Sequence, residues 1–279
     1  MIVYPFSFIN NPFFYGDPDA VAYLAAVIFA GGAVSIPTRD AANQLFIDLK
    51  ANGLYSKMDV MYPMLGSTAN SVKIDAITPN AGYPIEWYGG MSFSDKGAIG
   101  NGSDGYGNTY FNTYVSSDPL NYGWGVYMYD DGNFGNEVYN SGAFDGTYIS
   151  TMRGDTSNQV GCYAYQVGDA RGALSIPTTN DYTGNYVFTF NSSQLKSLYR
   201  NYDVGSGTTA SLTMGGTPRL SNQPTYTHTL NINGSPYSGQ YWNGTMSFLW
   251  FGKSMSSSEV STLSSIINTF QTSLGRNTY

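Results

Sequence analysis

The sequence predicts a mainly β chain, an antiparallel β-sandwich preceded by a helical hairpin and closed by a short C-terminal helix. Three observations carry that reading. Charged residues make up only 11 % of the 279 positions while Tyr and Gly are abundant, a balance suited to strands and tight turns rather than helical bundles. From about residue 70 onward, short apolar runs are separated by turn dipeptides: Asn101-Gly102, Asp104-Gly105, Asp131-Gly132, Asp145-Gly146, Asn233-Gly234 and Asn243-Gly244. Near the end, an apolar run at 244–252 hands over to an amphipathic segment with helical spacing. The length suits one large β domain with an added piece as well as it suits two small domains.

Taken in order, residues 1–16 are aromatic, uncharged and interrupted by Pro5 and Pro12, which fits an extended arm lying on a partner or on its own domain. Residues 17–66 read as the helical hairpin. Asp17 caps a first helix reaching about Ala30, and Thr38 caps a second whose apolar face is Ala42, Leu45, Phe46 and Leu49, with Asn52-Gly53 as its stop. Residues 67–279 read as the sandwich. Within it Tyr122, Trp124, Val126 and Met128 alternate with Gly123, Gly125, Tyr127 and Tyr129, and Tyr186, Phe188 and Phe190 alternate with Val187 and Thr189. Further strands are expected over 109–115, 147–151, 161–167, 211–214 and 225–232. In 244–252, regular alternation puts Met246, Phe248 and Trp250 on one face and Leu249 and Phe251 on the other, so this strand should be buried on both sides. The closing helix, 256–273, opens with Ser256 and Glu259 at capping-box spacing and turns Val260, Leu263, Ile266, Ile267 and Phe270 inward.

Composition excludes several functions. A net charge of -7, with 12 scattered Lys and Arg, leaves nothing to neutralise phosphates, so no nucleic-acid partner is expected. Cys162 is the single cysteine, which excludes an internal disulfide framework and a cysteine-rich zinc site. The apolar run 20–34 is shorter than the roughly 20 residues a spanning helix needs, contains Gly31-Gly32 and follows two aspartates, so it reads as a buried helix with no membrane role.

Chemistry-bearing constellations are sparse. His228 is the single histidine, and it sits in an apparent strand with no nucleophile elbow elsewhere, so a partly buried or surface strand histidine is the favoured reading. Glu86, Glu137 and Glu259 are the three glutamates, none with an acid two residues on, which argues against a sandwich glycosidase; Glu86 is the best remaining acid for sugar chemistry, though an exposed strand or loop carboxylate is the favoured reading. No catalytic residue and no bound cofactor is expected. Residues 100–105 match GxGxxG without a βαβ context and read as a Gly-rich turn. Asp130, Asp131, Asn133 and Glu137 form a candidate calcium loop, against which a plain solvated hairpin loop is favoured. Trp87, Tyr88, Trp124 and Trp242 are candidate glycan-stacking residues. The bland alternative, aromatics filling a core and a subunit interface, is favoured over it.

Two stretches resemble a family of bacteriophage structural proteins that carry a concanavalin A-like (laminin G-like) domain. The first runs through 17–24 (DPDAVAYL), 41–63 (AANQLFIDLKANGLYSKMDVMYP), 66–73 (GSTANSVK) and 74–79 (IDAITP). The second includes 195–202 (LKSLYRNY), 252–259 (GKSMSSSE) and 274–276 (LGR). Where the family often has an Asn-Gly turn, this chain reads Asn201-Tyr202. The resemblance implies a concanavalin A-like jelly roll and a virion component: a head decoration, head fibre, tail fibre or other appendage subunit. Such a subunit would be homo-oligomeric, would assemble with other virion proteins through its N-terminal region, and would meet host-surface glycan at its distal loops. The rival expectations are a stand-alone lectin-like protein and a glycan depolymerase.

Overall fold

The structure, a computed structural model, describes residues 16–279 apart from 117–120, 156, 167–172, 180, 192–194, 206 and 214–219. Of the expected arm, residues 1–15 therefore lie outside the described residues.

Two sheets form the body. The first holds β1 (Met58–Tyr62), β3 (Ser92–Ser94), β4 (Gly97–Ile99), β6 (Tyr122–Asp130), β11 (Gly184–Phe190), β12 (Leu195–Arg200), β13 (Thr208–Thr213) and β17 (Thr245–Gly252). Its strand order is β13-β12-β11-β6-β17-β4-β3, with β1 also paired to β17. The second holds β2 (Glu86–Tyr88), β5 (Tyr106–Asn108), β7 (Tyr139–Phe144), β8 (Tyr148–Asp155), β9 (Gln159–Gln166), β10 (Ala173–Pro177), β14 (Tyr226–Thr227), β15 (Asn231–Ile232) and β16 (Ser235–Pro236). Its order is β10-β9-β8-β7-β14-β5-β2, and β15 runs parallel to β7, whereas the other strand pairs among the described residues are antiparallel. The helices are α1 (Pro18–Phe29), α2 (Ile36–Ala51), α3 (Ala69–Val72), α4 (Thr113–Ser116) and α5 (Ser257–Ser273).

The two apolar faces of the first sheet explain its sequence. Between the sheets, Tyr122, Trp124, Val126 and Met128 of β6 and Tyr186, Phe188 and Phe190 of β11 pack with Val160, Cys162 and Ile176 of the second sheet. On the outer side, Tyr127, Val187, Phe248 and Trp250 lie under α1, α2 and α5. A strand covered on both faces has no position left for polar alternation, and β17 is buried at every residue. Trp250 reaches across the glycines of its neighbour: a Cβ on Gly125 would lie 2.3 Å from its Nε1.

Expected details of β6, β11 and α5 hold. Ser256 and Glu259 form the capping box, Glu259 also pairs with Lys57 at 2.7 Å, and all five expected apolar residues of α5 are buried. Asp17 caps α1 as expected, and Asn52 and left-handed Gly53 close α2.

Other expectations are corrected. Within the expected hairpin segment, 17–66, β1 pairs with β17, and α1 and α2 share one apolar cluster with α5. Ser35, not Thr38, caps α2: its hydroxyl accepts the Thr38 N–H at 3.2 Å, and Pro37 fits the first turn, where a missing N–H costs nothing. In β17, Met246 joins Leu249 and Phe251 between the sheets instead of sharing a face with Phe248 and Trp250. Two offsets in the β6–β17 ladder cause this, leaving Tyr129 and Ser247 without opposite numbers. The strand expected over 109–115 is broken by Tyr110 at φ 53 and by α4. The strand expected over 225–232 is broken at His228, whose φ of 63 turns the chain from antiparallel to parallel alongside β7.

Candidate functional site

An open cleft of about 430 Å³ lies along β2, the edge strand of the second sheet. Its apolar wall is Trp87, Tyr110 and Ile85, and its rim carries Asn70, Lys73 and Glu86. The three elements behind it act differently. Strand alternation at β2 sends Trp87 inward, to within 5.3 Å of the Phe93 ring, and Glu86 and Tyr88 outward. Trp87 is then clamped, because its Nε1 donates to the Ala69 carbonyl of α3 at 3.0 Å. Tyr110 is brought over β2 by its left-handed backbone, which its N–H bond to Asn108 Oδ1 at 2.9 Å supports.

Glu86 is the electrostatic centre of the rim. The hydroxyls of Tyr110 and of Tyr88 both donate to its Oε2. These bonds, first that of Tyr110, then that of Tyr88, hold the carboxyl below the usual range, with Lys73 adding to the effect. An exposed carboxylate so held stays ionised at neutral pH. It can accept hydroxyl hydrogen bonds, but it is poorly placed to give a proton to a leaving group. Lys73 is steadied by its Nζ donating to Asn70 Oδ1 at 3.1 Å. Behind Tyr88 a ladder of stacked rings leads inward, Tyr88 to Tyr106 at 4.9 Å and Tyr106 to Tyr226 at 5.0 Å. The cleft is therefore lined by two aromatic residues, one anion, one cation and one amide, which suits a ligand with apolar faces and several hydroxyls.

Of the four expected stacking residues, the structure brings Trp87 and Tyr88 to this edge and removes the other two. Trp124 is buried between the sheets, and Trp242 is fully buried, its Nε1 donating to the Asp131 carbonyl at 2.6 Å. Residue type alone did not separate a core indole from a surface one. Tyr110, Lys73 and Asn70 went unnoticed in the sequence because only the fold brings them to β2.

The calcium candidates do not converge on one centre. Asp130 accepts from Gly132 N, Asp131 accepts from Tyr182 N, and Asn133 exchanges hydrogen bonds with Asn243 and donates to the Tyr241 carbonyl. Glu137 ends the following 3₁₀ turn in a left-handed conformation. Among the described residues no group of three or more His, Cys, Asp or Glu is placed to hold a metal ion. In 100–105, Asn101 Oδ1 accepts from the N–H groups of Ser103, Asp104 and Gly105, and β5 follows, so this is a turn.

His228 is fully buried, not a surface residue. Its ring stacks on Trp242 at 4.9 Å, and Nε2 lies 3.3 Å from the Ala98 carbonyl. Burial pushes its pKa down to about 3, so it is neutral. Burial likewise pushes the Cys162 thiol well up, which leaves an inert core thiol. Among the described residues no helix is long and apolar enough to cross a membrane.

No protein-family model matches the chain, and no curated protein matches it. Solved structures do. The botulinum neurotoxin serotype D binding domain is similar at TM-score 0.50 and 11 % identity, over 76 % of this chain and 52 % of that one. A mutant of HCR/D is similar at TM-score 0.54 and 11 % identity, over the same shares. What they share is a β-sandwich. The Ruminococcus gnavus IT-sialidase CBM40 bound to α2,3-sialyllactose is similar at TM-score 0.41 and 11 % identity, over 52 % of this chain and 83 % of that one. This chain spans about half the length of the toxin domain, 52 %.

Proposed function

We propose that this chain is a carbohydrate-binding β-sandwich whose ligand seat is the cleft along β2. One observation carries the reading: a clamped indole, Trp87, stands beside the exposed Tyr110 ring in a cleft of about 430 Å³ with a polar rim. That volume lies within the range of small-ligand sites, roughly 300–1,000 Å³. The ionised, solitary Glu86 supports binding over hydrolysis, since glycoside cleavage needs a second carboxyl as partner. The finer fold, a concanavalin A-like jelly roll, is supported by the resemblance of 252–259 and by the closing strand and helix.

The test uses the tryptophans themselves. Trp124, Trp242 and Trp250 are buried, which leaves Trp87 as the indole that a bound sugar can touch. A glycan array should find a saccharide that binds saturably, and that saccharide should change the intrinsic fluorescence. Trp87→Phe should abolish the fluorescence response while leaving part of the binding. An array without a saturable ligand, or a response unchanged in Trp87→Phe, refutes the reading.

A second reading, that the chain is a subunit of a virion appendage, rests on the sequence resemblance and on a specific surface. Ile36 and Ile47 of α2 are 56 % and 40 % exposed. Apolar residues on that side of the helical layer suit contacts with sister or virion chains. Ile36→Ser combined with Ile47→Ser should reduce oligomer mass in light scattering and lower incorporation into particles. Unchanged mass and incorporation count against it.

A further inference from the structure

The cleft along β2 is balanced in charge. Among the residues that line it, Lys73 and Glu86 are the charged ones, one of each sign. Neither is held in an ion pair at contact distance among the described residues. Lys73 nevertheless acts on Glu86 through space, so its positive charge is already offset within the cleft. The chain as a whole, at a net charge of -7, adds no attraction for an anion.

The carboxylate is also aimed. The hydroxyls of Tyr110 and Tyr88 both donate to Oε2, and the described residues give Oε1 no hydrogen bond. The two phenols thus fix the carboxylate and spend their own protons on it. What the wall has left is a charged acceptor, Oε1, together with the Asn70 amide and the Lys73 ammonium, whose Nζ donates to Asn70 Oδ1. A sugar hydroxyl both donates and accepts, so it fits this set: it gives its proton to Oε1 in a charge-assisted bond and accepts from the amide or the ammonium. A sugar carboxylate accepts alone. It brings no proton for Oε1, and it meets a like charge held in place by two phenols.

We propose that the cleft selects neutral sugars over acidic ones, and that Glu86 is the residue that turns a carboxylate away. This rests on the reading of the cleft as a sugar seat and adds the class of sugar. Selectivity of this kind comes from a repulsive group as much as from attractive ones.

The experiment begins with an array that carries glucose-, galactose- and mannose-terminated saccharides beside their uronate-terminated counterparts, which differ only at C6. The leading pair is then titrated into the full chain by calorimetry, with Trp87 fluorescence reporting occupancy of the cleft. The neutral member should bind about threefold or more tightly at low ionic strength, and added salt should narrow the gap. Glu86→Gln keeps an oxygen for the two phenols but removes the charge, and should bring the pair to equal affinity or favour the uronate. Lys73→Gln should widen the gap by about threefold. Opposite shifts from two exchanges at one rim are the signature of charge selection, which a merely structural role would not produce. The proposal is overturned if the unmodified chain binds both members equally or prefers the uronate, or if Glu86→Gln leaves the preference unchanged. An array with no saturable ligand refutes the sugar seat itself and this proposal with it, whereas binding without selection refutes this proposal alone.

Discussion

The first sheet hides its aromatic residues on both faces, whereas the second hides one face and carries stacked tyrosines toward solvent on the other. Burial on two sides makes β6, β11 and β17 near-continuous apolar runs. Openness on one side lets Glu86, Tyr88, Tyr106 and Tyr110 form a polar and aromatic edge. Tyrosine serves both sheets, because it buries area like phenylalanine and still offers a hydroxyl. The lesson is that aromatic abundance specifies neither core nor site. The layer that covers each face decides.

The comparison can be broken most severely at Trp250, which is fully buried between the first sheet and the helices. Trp250→Ala should cost about 3–5 kcal/mol in chemical denaturation, as large-to-small core changes do. A loss below about 1 kcal/mol would mean that the helical layer does not seal that face.

His228 tests the seam between the sheets by pH. With its folded pKa near 3 against an ordinary value of 6.5, the unfolded chain binds the extra proton between those limits. Its contribution is therefore full above about pH 6.5 and is lost as pH falls toward about 3, at about 1.4 kcal/mol per pH unit. Asn tolerates the left-handed backbone at this position, so His228→Asn should show a shallower loss of stability with acid in paired melts. Equal slopes would place the imidazole in contact with water.

On the open face the effect should fall on binding, not folding. Tyr110→Ala should weaken a cleft ligand by more than about 1 kcal/mol. Its unfolding free energy should move by about 0.5 kcal/mol or less, since Tyr110 is exposed. A large stability loss with unchanged binding would assign Tyr110 to architecture. The smallest effect sharpens the helical side: Ser256→Ala removes one partner of the α5 capping box and should cost about 1 kcal/mol in thermal unfolding.

Much of the first sheet was legible in the sequence, because two-sided burial writes itself as alternation with apolar residues in both phases, as in 122–129 and 244–252. The capping box of α5 was legible because it is local. What escaped was non-local or conformational. His228 reads as a strand residue until its left-handed φ is known, and Met246 reads as a neighbour of Phe248 until the ladder offset is known. The cleft was half legible. Trp87 and Glu86 stand adjacent in sequence, but Tyr110 joins them only through the pairing of β2 with β5 and the turn after it.

The paired offsets in the β6–β17 ladder bear on which sequence-length changes the fold tolerates. Thr245 faces Asp130 and Phe251 faces Trp124, so the spare residues Tyr129 and Ser247 offset one another and the alignment beyond them is restored. Losing Ser247 alone would act as a spatial frameshift, exchanging inward and outward positions on one side of the gap. Losing Tyr129 and Ser247 together would keep the phase, which makes the pair a unit of inheritance: homologues should carry both or neither.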